Sequence, residues 1–246
     1  MAAAKRHPLV RLARWLVIGL ALLAVLLGVA LVLLNSPAGH RYIADQIEAL
    51  SPDSGLKIKV GRIDGSLWSH PVVRDIRLSD PDGQFLRVPE ARLDWHPLDY
   101  VLRNRLTIDK LRIPRGDLAR LPNLRPGPPD KPILPDFDIS LGELKVDRLI
   151  IAEGIAGPQR SATINGRADI RSGNADVLLN ARLLDGGDRL KLALIAAPDR
   201  GAFDIDADVI APRGGVLAAM AGLDRDLTGG IRGQGNWQNW PGALLA

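Results

Sequence analysis

The chain has 246 residues, 46% of them hydrophobic and 24% charged, enough for one or two domains with a sizeable core. It has no cysteine, which excludes disulfides, thiolate metal sites and a cysteine nucleophile together. Its four histidines (His7, His40, His70 and His96) form no helical pair and no cluster with carboxylates at ligand spacing, so neither a metal nor a cofactor is expected. The net charge of +4 is carried by Lys5, Arg6, Arg11 and Arg14; the other 28 basic residues equal the 28 acidic ones, which excludes the basic face of a nucleic-acid binder.

Those four cations have a different use. Residues 15–34, from Trp15 and Leu16 to Leu34, are twenty uncharged positions that span about 30 Å as a helix, one bilayer core. With a basic flank at 1–14, the positive-inside rule places the N-terminus in the cytoplasm and everything beyond the span across the membrane, in the periplasm of a bacterial cell. A cleaved signal peptide ending near Ser36-Pro37-Ala38 is the competing reading. The apolar run exceeds the roughly 7–15 residues of a signal h-region, and Pro37 is awkward at a cleavage site, so a single-pass anchor is expected.

Tyr42, Ile43, Ile47 and Leu50 recur at helical spacing within 38–50, predicting a short amphipathic helix near the membrane surface or capping a sheet. From there to 117 the chain reads as strands: 56–63 and 73–79 alternate, Pro81-Asp82-Gly83 turns, and 84–95 alternates with a slip of one at Pro89-Glu90. Residues 96–104 suggest a turn or two of helix after Pro97. "LTIDKLRI" (106–113) then places apolar residues at its first, third, sixth and eighth positions, and "LKVDRLII" (144–151) does so again. A helix would scatter those side chains; a strand with a bulge at Asp109-Lys110, and at Asp147-Arg148, gathers them on one face. Such slips strengthen twist, so a curved sheet is expected.

Six prolines interrupt the pattern at 118–136, which reads as an extended loop inserted in one continuing sheet, since the motif resumes beyond it. Residues 137–246 continue as an antiparallel meander with turns at Ser172-Gly173, Gly186-Gly187 and 199–201, a helix at 214–224 and a glycine-containing strand. The repeated apolar signal at the last residues reads as a sheet cut short, the front part of something longer. The predicted fold is therefore mainly β: a transmembrane helix, then a curved antiparallel β-groove in two segments, 51–117 and 137–246, with a few short helices.

Catalytic chemistry is not expected. Ser54-Gly55-Leu56-Lys57 matches the S-x-x-K of penicillin-binding proteins, but Lys57 lies inside an alternating strand and the companion elements are missing. Asp204, Asp206 and Asp208 alternate on one strand face, which reads as a solvated face in preference to a calcium site. The strands' other face is aliphatic, and the short helices cannot cover it. A phospholipid acyl chain matches it, because each buried CH₂ is worth about 0.8 kcal/mol without directional demands. The candidate lining comprises Leu86, Val88, Leu93, Leu106, Ile108, Leu111, Ile113, Leu144, Val146, Leu149 and Ile151.

Gly65-Ser66-Leu67, Ile76, Leu78, Asp82-Gly83, Leu86, Val88, Ala91, Leu93, Trp95, Pro97 and the 106–113 motif together resemble the N-terminal part of the TamB family, inner-membrane components of the translocation and assembly module. "GQGNWQNWPG" (233–242) is similar to short Gly- and Trp-containing segments that recur along those proteins. The resemblance implies membership of the AsmA-like group of bridge-like lipid transfer proteins, a hydrophobic β-groove crossing the periplasm towards the outer membrane, a role in outer-membrane protein assembly, and a TamA-like outer-membrane barrel as partner through a C-terminal region missing here. The alternative reading is a membrane-anchored scaffold that pairs with barrel proteins by β-augmentation. An anchored hydrolase has the least support, because nothing places a base beside a nucleophile.

Overall fold

A computed structural model of the chain describes residues 35–49, 55–123, 134, 137–155, 157–197, 200–220, 224–236 and 243–245. The expected span at 15–34, its basic flank, Leu50 and Ser54 lie outside these residues. Among the described residues no helix is long and apolar enough to cross a membrane.

The architecture is mainly β. Helix α1 (Pro37–Ala49) precedes strands β1 (Lys57–Asp64), β2 (Val72–Asp80) and β3 (Gly83–His96); helix α2 (Pro97–Arg103) leads into β4 (Arg105–Leu118). Strands β5 (Asp138–Ile151), β6 (Arg160–Arg171), β7 (Asn174–Leu183), β8 (Arg189–Ala197) and β9 (Ala202–Ala211) follow, then helix α3 (Val216–Met220), β10 (Leu227–Asn236) and the three-residue β11 (Ala243–Leu245). All eleven lie in one sheet whose spatial order is the chain order, and the sheet does not close on itself. The tight turns of the later meander need left-handed backbone: Ser172 and Gly173 take φ 48° and 73°.

The expectation of a wholly antiparallel sheet is corrected. β4 and β5 run parallel, while every other neighbouring pair is antiparallel. A parallel neighbour needs a crossover of a dozen or more residues, and the proline-rich stretch between Leu118 and Asp138 supplies it. The sheet does continue past that stretch. Arg120 forks onto the Asp80 carboxylate and the Gly83 carbonyl, and the Asn123 N–H donates to Asp80 Oδ2 at 2.6 Å, pinning the start of the crossover to the β2–β3 turn.

The predicted bulges at Asp109 and Asp147-Arg148 are present: Asp94 and Trp95 pair with Lys110 and Ile108, skipping Asp109, and 147–148 face the single residue Thr163 of β6. On β3 the slip falls at Val88-Pro89, between the pairs Arg87–Asp117 and Glu90–Arg115, one residue earlier than expected. Each of β4 and β5 also carries a second slip. Residues 113–114 of β4 face only Ala91, and 142–143 of β5 face only Arg167. Apolar positions thus follow gaps of two, three, two, three, two on both strands: 106, 108, 111, 113, 116 and 118, then 139, 141, 144, 146, 149 and 151. Between them the register is constant from Arg105–Asp138 to Leu118–Ile151, an offset of 33, so each slip lies beside a slip. The two quoted motifs are therefore not side by side; Leu144 pairs with Leu111, and Leu106 with Ile139.

Gly142 makes this register possible, since a Cβ there would stand 2.9 Å from the Asp109 carbonyl oxygen. Gly142→Ala should lower the free energy of unfolding by about 1–3 kcal/mol through overpacking against that carbonyl. The neighbouring Glu143→Ala, at an exposed site, should stay within about 0.5 kcal/mol of the parent chain. Urea unfolding of the two variants checks the pair, and equal stabilities would mean the strands can shift to relieve the contact.

Candidate functional site

Strict pairing carries one apolar face across the sheet. Leu93, Leu111, Leu144, Gly166, Leu179, Leu192 and Ala207 are successive partners from β3 to β9, and Ile231 of β10 extends the row. A second row runs Trp95, Ile108, Leu141, Ala168, Val177, Leu194 and Ile205. A third joins Ile113, Val146, Ile164, Ala181, Leu190 and Val209. The rows align because directly opposed residues in a ladder share a face.

Among the described residues two short helices cover parts of this sheet. Ala44 of α1 packs with Val60 and Ile63 of β1 and with Leu67, and His40 Nδ1 lies 2.9 Å from the Ile63 carbonyl. Helix α1 therefore caps β1 through His40 and Ala44, and Tyr42, expected on its apolar stripe, is exposed. The second cover is Val216 of α3, buried with Ile151, Ala162 and Leu183, against which Leu118 and Leu149 also pack. Asp188, itself buried, holds α3 by accepting from the Leu217 N–H at 2.9 Å. Helix α3 occupies Val216–Met220 of the predicted 214–224, and residues 221–223 of that expectation lie outside the described residues.

Between the covers the face is half-open. Of the eleven predicted lining residues, Val88, Val146 and Ile151 are buried; Leu86, Leu93, Leu106, Ile108, Leu111, Ile113, Leu144 and Leu149 are only partly so. The structure places all eleven on the apolar face, but Leu149 and Ile151 belong to the cluster under α3. Leu86 and Leu149 meet above Gly116, where a Cβ would stand 3.8 and 3.2 Å from their Cδ1 atoms. Sequence reasoning missed Ile139, Leu141, Ile164, Leu179 and Leu192, which continue the same rows. The three-residue gap from Leu141 to Leu144, matching that from Ile108 to Leu111, was the available signal.

The opposite face is ionic. Arg74 bridges Asp64 and Glu90 at 2.5 and 2.6 Å, Arg92 adds a second contact to Glu90 at 2.7 Å, and these arginines hold both carboxyls below their ordinary range. Asp147 accepts from Arg112 at 2.9 Å across the parallel pair. Asp206 and Asp204 take Arg232 and Gln234 of β10 as partners at 3.0 and 2.9 Å, so the aspartate run is a paired outer face. Among the described residues no group of three His, Cys, Asp or Glu could hold a metal ion. The arrangement offers a wide non-directional apolar surface backed by a wet one. No protein-family model, curated protein or solved structure matches the chain.

Leu183→Ala, under α3, should cost about 2–4 kcal/mol of stability. Leu144→Ala, on the half-open part, should cost about 1 kcal/mol or less, because less surface leaves water there on folding. Equal costs in urea unfolding would show the middle of the face to be covered.

The outer face also yields a titration. His96 Nε2 stands 2.8 Å from Asp109 Oδ2, and that hydrogen bond raises the imidazole pKa above its ordinary value. A raised folded-state value means that the pair stabilises fully below the unfolded pKa, about 6.5, and the contribution is lost as pH rises through the folded one. Both side chains are more than half exposed, so the effect on stability is small. NMR should find His96 titrating above its ordinary value, with Asp109→Asn returning it downward; an unchanged midpoint in that variant would break the assignment.

Proposed function

We propose that the chain is a membrane-anchored periplasmic protein whose apolar sheet face is a groove for phospholipid acyl chains, moving lipid towards the outer membrane. The observation that carries this reading is the run of half-open aliphatic rows from β3 to β10, which no described residue covers between α1 and α3. A uniform aliphatic surface binds an acyl chain at any point with similar energy, which suits passage better than fixed capture. The uncharged residues 15–34 behind a basic flank support an inner-membrane anchor. The resemblance to the TamB family adds outer-membrane protein assembly and a TamA-like barrel partner to the proposal. Pairing of clients on the sheet edge has weaker support, since edge strand β1 carries exposed Lys57 and Lys59, charges of the kind that guard edges against pairing.

A photo-crosslinking residue at Ile108 or Leu144 should capture phospholipid in cells, and one at Lys145, on the ionic face, should not. Ile108→Glu should remain folded, because its site is half-open, yet lose lipid capture at position 144, because a carboxylate there must be desolvated or neutralised as a chain passes. A folded Ile108→Glu protein that yields the parent level of adduct would defeat the groove reading.

A further inference from the structure

Helix α2 is held in place, but among the described residues it contributes no buried side chain to a core. It starts with Pro97 at its first turn and ends on Asn104 in the left-handed region, and none of its residues is buried. The Asn104 carbonyl accepts from the Asp138 N–H at 3.1 Å, and the Tyr100 ring meets Phe137 edge-on at 5.6 Å, so the helix is fastened to the start of β5. Its outward side is apolar. Leu98, Val101 and Leu102 fall within one arc of about 100° and are 56%, 73% and 76% exposed. Three large aliphatic side chains on one short helix form a contiguous patch of the kind that marks an interaction site.

The position of that patch identifies its occupant. Asn35 is the first described residue after the apolar run 15–34, and its Oδ1 accepts from the Leu67 N–H at 2.9 Å. The Leu67 carbonyl in turn accepts from Trp95 Nε1, also at 2.9 Å, and Trp95 lies two residues before Pro97. One residue, Leu67, thus ties the chain leaving the apolar run to the chain entering α2.

We infer that α2 is a second membrane contact: Leu98, Val101 and Leu102 enter the headgroup–acyl boundary of the bilayer that residues 15–34 cross. This rests on the anchor reading above. A helix of seven residues is too small to bind a bilayer strongly by itself. Tethered beside the anchor it need not, because its insertion is intramolecular and proceeds at a high effective concentration. The contact seats this end of the sheet against the leaflet and opens the apolar rows, of which the one through Trp95 and Ile108 lies just behind α2, towards the lipid that would enter them.

The absence of cysteine makes the test direct. Single cysteines at 24, 101, 102 and 184, in the full chain reconstituted in phosphatidylethanolamine–phosphatidylglycerol vesicles, are labelled with an environment-sensitive fluorophore and challenged with nitroxide lipids. Leu184 is an exposed residue at the opposite end of the strands. Labels at 24, 101 and 102 should be quenched and the label at 184 should not; Leu98→Ser should reduce quenching at 102. Quenching at 24 but not at 101 or 102 overturns the inference and leaves the anchor standing, whereas no quenching at 24 overturns both. A blue shift at 101 without quenching, growing with protein concentration, would assign the patch to a second copy of the chain and overturn the membrane contact.

Discussion

The close approach of Gly142 to the Asp109 carbonyl holds the rest of the sheet in place. It sits in the one parallel pair, where two bulged strands must keep step. A bulge displaces a strand and adds twist, so a straight neighbour would lose its ladder there. Matching slip against slip preserves the ladder, and a glycine is required where the displaced backbones crowd. Because β5 templates β6, and β6 the meander after it, the alignment of the aliphatic rows out to β10 follows from this contact.

A sheet with one aliphatic and one ionic face is stable only if water is kept from enough of the first. Among the described residues this is achieved at two places, under α1 through Ala44 and under α3 through Val216. The ionic face contributes differently. Pairs such as Arg74 with Asp64 and Glu90 are only partly buried and still reached by water, so each contributes modestly, but they fix which side of each strand is wet, and a slip of one residue would turn them to the apolar side. The same alternation that supports solubility on one side leaves the aliphatic rows continuous on the other.

The buried carboxylates have structural roles. Asp80, its side chain wholly enclosed, gathers Arg120 and the backbone N–H groups of Asp82 and Asn123, and the arginine above all keeps its pKa well below the usual range. A charge so enclosed is tolerated because every oxygen is partnered. It anchors the beginning of the crossover that permits the parallel pair. Asp188 likewise serves the α3 cover, with Gly215 lying where no side chain would fit.

Strand periodicity, the slips at 109 and 147 and the aliphatic character of one face are local properties, so the residues alone determined them, and the return of the same motif beyond the prolines already pointed to one continuing sheet. The direction of β5 and the register between β4 and β5 are not local. Their apolar pattern repeats every five residues, so an offset of 38, which aligns the two quoted motifs, and the offset of 33 bring the same kinds of side chain together. Only the three-dimensional fit of Gly142 beneath Asp109 separates them, since the offset of 38 would set Asp147 there instead. Helical spacing predicted a helix capping the sheet, but which side chains meet it was decided by packing: His40 and Ala44 turn towards β1 while Tyr42 is exposed, and Leu98, Val101 and Leu102 of α2 face outward. Helical spacing states which residues share a side, while the packing of the whole sheet decides what that side meets.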